Sequence, residues 1–401
     1  MHGLLPRFGL VPVALPFAAD ARGGGAQAAA PDAILVGGTI SMTGPFGPDV
    51  APFKKLMESW AEMVNAKGGI SLRGYGKTLP LKFIIYDDAS KPDESVRLYE
   101  KLVTEHKVHA LFGPYSSSLT AQASTVGEKH QIPFIAIEAN AWALYQRGFK
   151  WLVGVLDSGL KWSYHYFDLL KAEGKAKTIA FIVEDSPHPK EVAAGSIPKA
   201  KETGLRVVAE EHLTASMQDF SPIIDRIKAL DPDIVYVSTY PLRGGALHKQ
   251  AVQRRLSPRE FHYIHHGSAF REPAGIKNVN FVTGENFWMP GVKGGPNVPE
   301  FEELLKRAGI KVEDHMEAPA RFLGCEIFRV ALERAGTLDP AKLIAALRGL
   351  AIISISGSLK IDPATGQGSR SPYPTQIQEG KYVTLWPPVY ATGKHIYPRP
   401  Q

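Results

Sequence analysis

Apolar positions along this chain follow two alternating periods from residue 33 onward. AILVGGTI (33–40) is a short β-branched run that breaks into Gly/Pro-rich SMTGPFGPD, the pattern of a buried strand with a loop at its end. FKKLMESWAEMVNAKGGI then sets Phe53, Leu56, Met57, Trp60, Met63 and Val64 at helical spacing until Gly68-Gly69 stops the run. LPLKFIIYDD (79–88) predicts a second strand, ESVRLYEKLVTEH a helix, VHALFG a strand, SLTAQASTVGEKH a helix and IPFIAI (132–137) a strand. The rhythm then repeats. TIAFIVED (178–185) predicts a strand, 189–203 a helix, LRVVAEEHL a strand and SPIIDRIKAL a helix; DIVYVST (233–239), a helix through Arg255 and FHYIHH (261–266) follow.

Strands alternating with helices predict βαβ units, hence parallel sheets covered by helices on both faces. The two runs flank ALYQRGFKWLVGVLDSG, so the expected fold is α/β with two doubly wound lobes. Ligands of such sheets bind outside the carboxyl ends of the strands. If the lobes face each other, one cleft lies between the loops at 39–49, 87–92, 113–118, 138–142, 184–189, 239–243 and 265–270.

Composition narrows the function. A length of 401 residues, 44% hydrophobic and 21% charged, fits a soluble protein of about two domains. The net charge of +6 is spread out, and the densest basic patch, Arg254-Arg255 with Arg259, is no stripe of the kind nucleic-acid backbones require. The single cysteine, Cys325, excludes an intrachain disulfide and reads as a small core residue. Residues 1–31 read as a signal peptide and linker: Arg7, an apolar run over 8–19 interrupted by Pro12 and Pro16, A-x-A patterns, and Gly23-Gly24-Gly25. No other apolar run approaches the ~20 residues of a membrane span.

GPYSSSLTAQAS (113–124) concentrates the candidate chemistry. It lacks the G-x-S-x-G elbow, and no base accompanies the serines in sequence, so a nucleophile is not indicated. A serine opening a helix can cap free N–H groups, and the same N-terminus can hold a carboxylate. Tyr115, Phe46 and Trp142 are candidate wall aromatics, and Tyr240, between a buried strand and Pro241, a candidate contact. His262 and His266 would share one strand face and His265 the other, too few convergent nitrogens for a metal. Asp87-Asp88 and Glu184-Asp185 point to opposite faces of their strands and read as turn or capping residues. No metal, cofactor or enzymatic activity is expected.

GGTISMTGPFG, VNAKGGISLRGYGKTLPLKFIIYDDASKPDESV, VHALFGPYSSSLTAQAS and IPFIAIEAN together resemble the periplasmic branched-chain amino-acid-binding proteins of ABC importers, the type I solute-binding proteins. The resemblance runs from about Ala33 to Tyr382. It implies two lobes joined by three crossovers: 32–157 plus 289–352, and 158–288 plus 353–401. It also implies capture in the periplasm of a small carboxylate or amino acid and delivery to permease subunits in the inner membrane. A ligand-sensing receptor domain of the same fold is the alternative. Residue by residue, the family's carboxylate-holding serine falls at Ser117 with Ser116 beside it. The following strand-end loop falls at Glu138, Ala139 and Asn140, and second-lobe contacts fall at His188 and Tyr240. Where leucine-binding members pair an acidic residue with the ammonium group, this chain has His265, His266 or Gly267, with His266 the expected contact. A disulfide pair found in some members is Ser90 and Ser116 here. Glu138 stands where the family has a small residue, a carboxylate expected to serve an amine or hydroxyl.

Overall fold

The computed structural model describes residues 30–214 and 216–400; of the expected signal peptide and linker, 1–31, all but the last two residues lie outside the described residues. Two separate parallel sheets form, one from each run of alternating elements. In the first, the strands lie in the order Leu81–Asp87, Ile34–Ile40, Ala110–Phe112, Phe134–Ala136, Leu152–Gly154. In the second, Arg206–Leu213, Thr178–Glu184, Ile234–Ser238, Glu260–Tyr263 and Thr283–Asn286 repeat that order, and Tyr373–Gln378 and Lys381–Thr384 extend it antiparallel. In each sheet the earliest strand lies between the second and third, which makes a topological switch point at its carboxyl end.

The helical face predicted over 53–64 is the face that is buried: Phe53, Leu56, Met57, Trp60, Met63 and Val64 all enter the core. On the other side of the first sheet, Tyr99, Leu102, Leu111 and Phe134 form a second cluster. Gly37 lets that cluster pack closely, because a Cβ would meet the Leu102 side chain at 3.0 Å. Helices Val298–Ala308 and Ala318–Ala335 return to the first lobe, where Phe328 packs edge-on against Phe112 at 5.4 Å. Cys325 is buried within that packing.

The chain passes between the lobes three times: after Leu152–Gly154, after Thr283–Asn286 and before Tyr373–Gln378. Two of these segments are stitched together by Gly154 N–H donating to Gly366 O at 2.8 Å and Asp157 N–H to Arg370 O at 2.9 Å. Gly368 permits the approach, since a Cβ would lie 2.3 Å from the Val155 backbone.

Two boundaries differ from expectation. The helix predicted through Arg255 ends at Gln253. More consequentially, the strand predicted over 261–266 ends at Tyr263, so strict alternation does not govern His265 and His266. No helix among the described residues is long and apolar enough to cross a membrane.

Candidate functional site

Carboxyl-end loops of both sheets meet in a cleft. The loop after Ile34–Ile40 is stapled by the two aspartates that end the neighbouring strand. Asp88 accepts from Thr39 Oγ1 and Ser41 Oγ at 2.6 Å each, and Asp87 from Met42 N–H at 2.9 Å. This anchoring delivers Phe46 and Asp49. The loop after Ala110–Phe112 delivers Tyr115 and Ser116, and the loop after Phe134–Ala136 delivers Glu138 and Asn140. From the second lobe come His188 at the start of Pro187–Glu202, Tyr240 before Pro241–Gln253, and His265. Tyr115, Ser116, Glu138, Trp162, His188, Tyr240, His265 and Glu317 line an inner chamber of about 10 Å³.

The chamber is unusually polar for its burial. On its lining residues, both His188 ring nitrogens, His265 Nε2 and Glu317 Oε2 are buried without hydrogen-bond partners among the described residues, as is the Asn140 amide in the adjoining loop. Each such group costs about 1–3 kcal/mol, so four on the lining residues mark a place built to receive a polar ligand rather than a packing solution. Burial, reinforced by His265, holds the His188 imidazole well below its usual range, which leaves it neutral and able to donate from one nitrogen.

Three carboxylates stand around the chamber. Glu138 forms a forked pair with Arg321, whose Nε donates to Oε1 at 2.7 Å and Nη2 to Oε2, while Nη1 donates to Gly113 O at 3.2 Å. Burial pushes the Glu138 carboxyl up to about 7, Glu317 and Asp49 add to the rise, and Arg321 opposes it. Asp49 accepts from the Tyr115 hydroxyl at 2.9 Å; burial, then Glu317, raise it to about 6. Glu317 faces His265 Nδ1 at 3.5 Å across the lobes. No group of three or more His, Cys, Asp or Glu among the described residues is placed to hold a metal ion.

Of the residues singled out from sequence, Tyr115, Ser116, Glu138, His188 and Tyr240 line the chamber, and Phe46 packs on Tyr115 and Tyr240 at 5.2 and 5.3 Å. Ser117 stands just behind it: its Oγ accepts from Ala141 N–H at 3.2 Å and joins two strand-end loops. Ala139 is buried with its carbonyl taken by Tyr145 Oη at 2.7 Å. Asn140 anchors the crossovers through its carbonyl, which accepts from Gly159 N–H at 3.1 Å and Gln367 Nε2 at 3.3 Å. His266 requires correction. Because the strand stops early, its ring turns into the second lobe, with Nε2 2.9 Å from Thr375 Oγ1, and His265 takes the cleft position. Glu138 is likewise not a bare carboxylate, since Arg321 occupies both its oxygens. Trp142 is half exposed, its N–H donating to Glu191.

Asp49, Trp162, His265, Glu317 and Arg321 were not among the expected site residues. One signal was present for Arg321: a guanidinium amid the apolar helix run ARFLGCEIF needs a buried acid. That the acid is Glu138, 183 residues away, only the fold reveals.

Ser116 adopts φ +76°, ψ +148° and caps the helix Ser117–His130, its Oγ accepting from Leu119 N–H at 3.3 Å. A serine in that region of backbone space is strained. The serines therefore serve as caps and cross-links around the chamber.

A family model described as periplasmic binding protein matches residues 33–381. The chain belongs to the periplasmic binding protein family. It is 25% identical over 335 residues to a leucine-, isoleucine-, valine-, threonine- and alanine-binding protein of Pseudomonas aeruginosa, covering 80% of this chain and 85% of that protein. The fold matches the branched-chain amino acid transporter substrate-binding protein LivJ of Streptococcus pneumoniae, solved with isoleucine, at TM-score 0.76 and 19% identity, over 87% of this chain and 97% of that one. It also matches an ABC-transporter solute-binding protein of Rhodopseudomonas palustris, solved with p-hydroxybenzoic acid, at TM-score 0.73 and 20% identity, over 91% and 98% of the two chains. These relatives are binding proteins by name, two of them of transporters, and none is named as an enzyme.

Proposed function

We propose that this periplasmic binding protein is the capture component of an ABC importer, exported to the periplasm by residues 1–31, which passes a small carboxylate-bearing solute to its permease. The observation that carries this reading is the unpartnered ring nitrogens of His188 and His265 in the chamber, which Ser116, the cap of the helix Ser117–His130, also lines. Neutral donors and a helix N-terminus suit a carboxylate. Glu317 and Asp49, without a guanidinium of their own, suit an ammonium or hydroxyl on the same ligand, which favours an amino acid or hydroxylated acid over a bare carboxylate. On this reading the lobes are 32–157 plus 289–352 and 158–288 plus 353–401, and they close as a hinge about the segments that cross between them.

A thermal-shift screen of amino acids against aromatic and aliphatic carboxylates tests the reading. Ligand at 100 times its Kd is expected to stabilise the protein by about 2.7 kcal/mol. No shift with any carboxylate would refute it.

A further inference from the structure

We propose that the ligand is elongated, with a polar head at the inner chamber and an apolar, aryl-sized tail in an outer pocket between Phe46 and Phe220. This rests on the capture function proposed above and names the class of solute more closely.

The inner chamber, at about 10 Å³, has room for about one water-sized group. Its walls already touch: Trp162 lies 4.8 Å from His188, ring to ring, and Tyr240 stacks parallel to His265 at 6.2 Å. The room is outside. A pocket of about 580 Å³ opens against Phe46 and Tyr240, whose rings pack with Tyr115, within the ~300–1,000 Å³ of sites for drug-sized ligands. Tyr240 lines both spaces, and Asp49, which lines the outer one, accepts the hydroxyl of Tyr115, which lines the inner. The two are thus neighbours across one aromatic partition.

The outer walls are mostly apolar and come from both lobes: Phe46 from the first, and Met217, Phe220, Pro241 and Ala246 from the second. Such walls ask for no hydrogen bonds and reward apolar area, and a phenyl ring burying about 100 Å² there is expected to gain roughly 30-fold or more in affinity. A ligand the size of leucine would end at the partition and leave this surface to water.

The test uses the full mature chain and calorimetry with two ladders: leucine, phenylalanine and 2-amino-6-phenylhexanoate; and benzoate, 4-phenylbutanoate and 6-phenylhexanoate. The expected result is that the longest member of a ladder binds at least tenfold more tightly than the shortest. Ala246→Trp, and independently Met217→Trp, fill the outer pocket and are expected to abolish that advantage while leaving the short ligand within about twofold. Tight binding of leucine or benzoate with no gain on extension overturns the inference and leaves the capture function standing. An advantage that survives in a folded tryptophan variant also overturns it. Failure of both ladders to bind removes the proposed carboxylate capture and this inference with it.

Discussion

Replacing Arg321 with methionine isolates the electrostatic problem at the heart of the cleft. The guanidinium and the Glu138 carboxylate are each 1% exposed, and the change strips both fork bonds and the bond to Gly113 O. Removing one partner of a buried pair costs about 3–5 kcal/mol, because the other charge stays in low dielectric. Glu138 has an escape, however. Its carboxyl is already held near 7 with Arg321 present, and without it the value climbs further above that of the unfolded chain. A carboxyl with a raised folded-state pKa contributes stability at low pH that is lost as pH rises toward that pKa. The deficit of the variant is therefore expected to be near 3–5 kcal/mol at pH 8 and to shrink at pH 5 to the ~1–2 kcal/mol of lost hydrogen bonds. Glu138→Gln/Arg321→Met removes both charges and is expected to be more stable at pH 8 than the single variant. Urea unfolding followed by tryptophan fluorescence at the two pH values reads these quantities. A deficit below about 1 kcal/mol at pH 8, an equal deficit at both pH values, or a double variant as weak as the single would refute the reasoning.

Asp49, raised from 3.8 to about 6 by burial and Glu317, carries a cost of roughly 3 kcal/mol above pH 6 at ~1.4 kcal/mol per pKa unit. Asp49→Asn should raise the melting temperature at pH 8 and leave it unchanged at pH 4; a fall at pH 8 would show the charge to be stabilising. His395, wedged between Glu260 at 2.5 Å and Glu173 at 3.1 Å, is opposed by burial but lifted by those carboxylates to about 9. That contribution is whole below pH 6.5 and lost as pH passes 9, so His395→Gln should flatten the decline in melting temperature between those values. Ser116→Gly releases the φ +76° strain and loses only a few tenths of a kcal/mol of capping, for a net gain of about 1 kcal/mol in the ligand-free protein, with weaker ligand binding by calorimetry. Asn140→Ala removes an amide that has no partner, so ligand affinity should fall tenfold or more while the ligand-free melting temperature holds; a matching loss of stability would assign Asn140 to the scaffold instead.

The loops at strand ends were legible because period and punctuation fix where each strand stops, and strand ends in doubly wound sheets are where ligands lie. That reasoning reached the loops and, within them, Tyr115 and Tyr240; Ser116, Glu138 and His188 were singled out by the family resemblance. It missed Glu317 and Arg321, which enter on a helix whose pattern reads only as core. The resemblance aimed His266 at the cleft in place of His265, on a strand expected to run three residues past its true end at Tyr263.

Local order, then, is what the sequence by itself determined: periods of two and 3.6 and glycine stops reflect contacts between near neighbours, and each is written where it acts. The tertiary structure alone decided which distant side chains share a dielectric. Arg321 finds Glu138 only because a helix from far along the chain returns to the first lobe, and only between the two lobes does Glu317 come opposite His265 and Phe46 join Tyr240 as a wall between two pockets. Charge and cavity are properties of what surrounds a residue, and those surroundings are assembled from segments that no window along the chain contains.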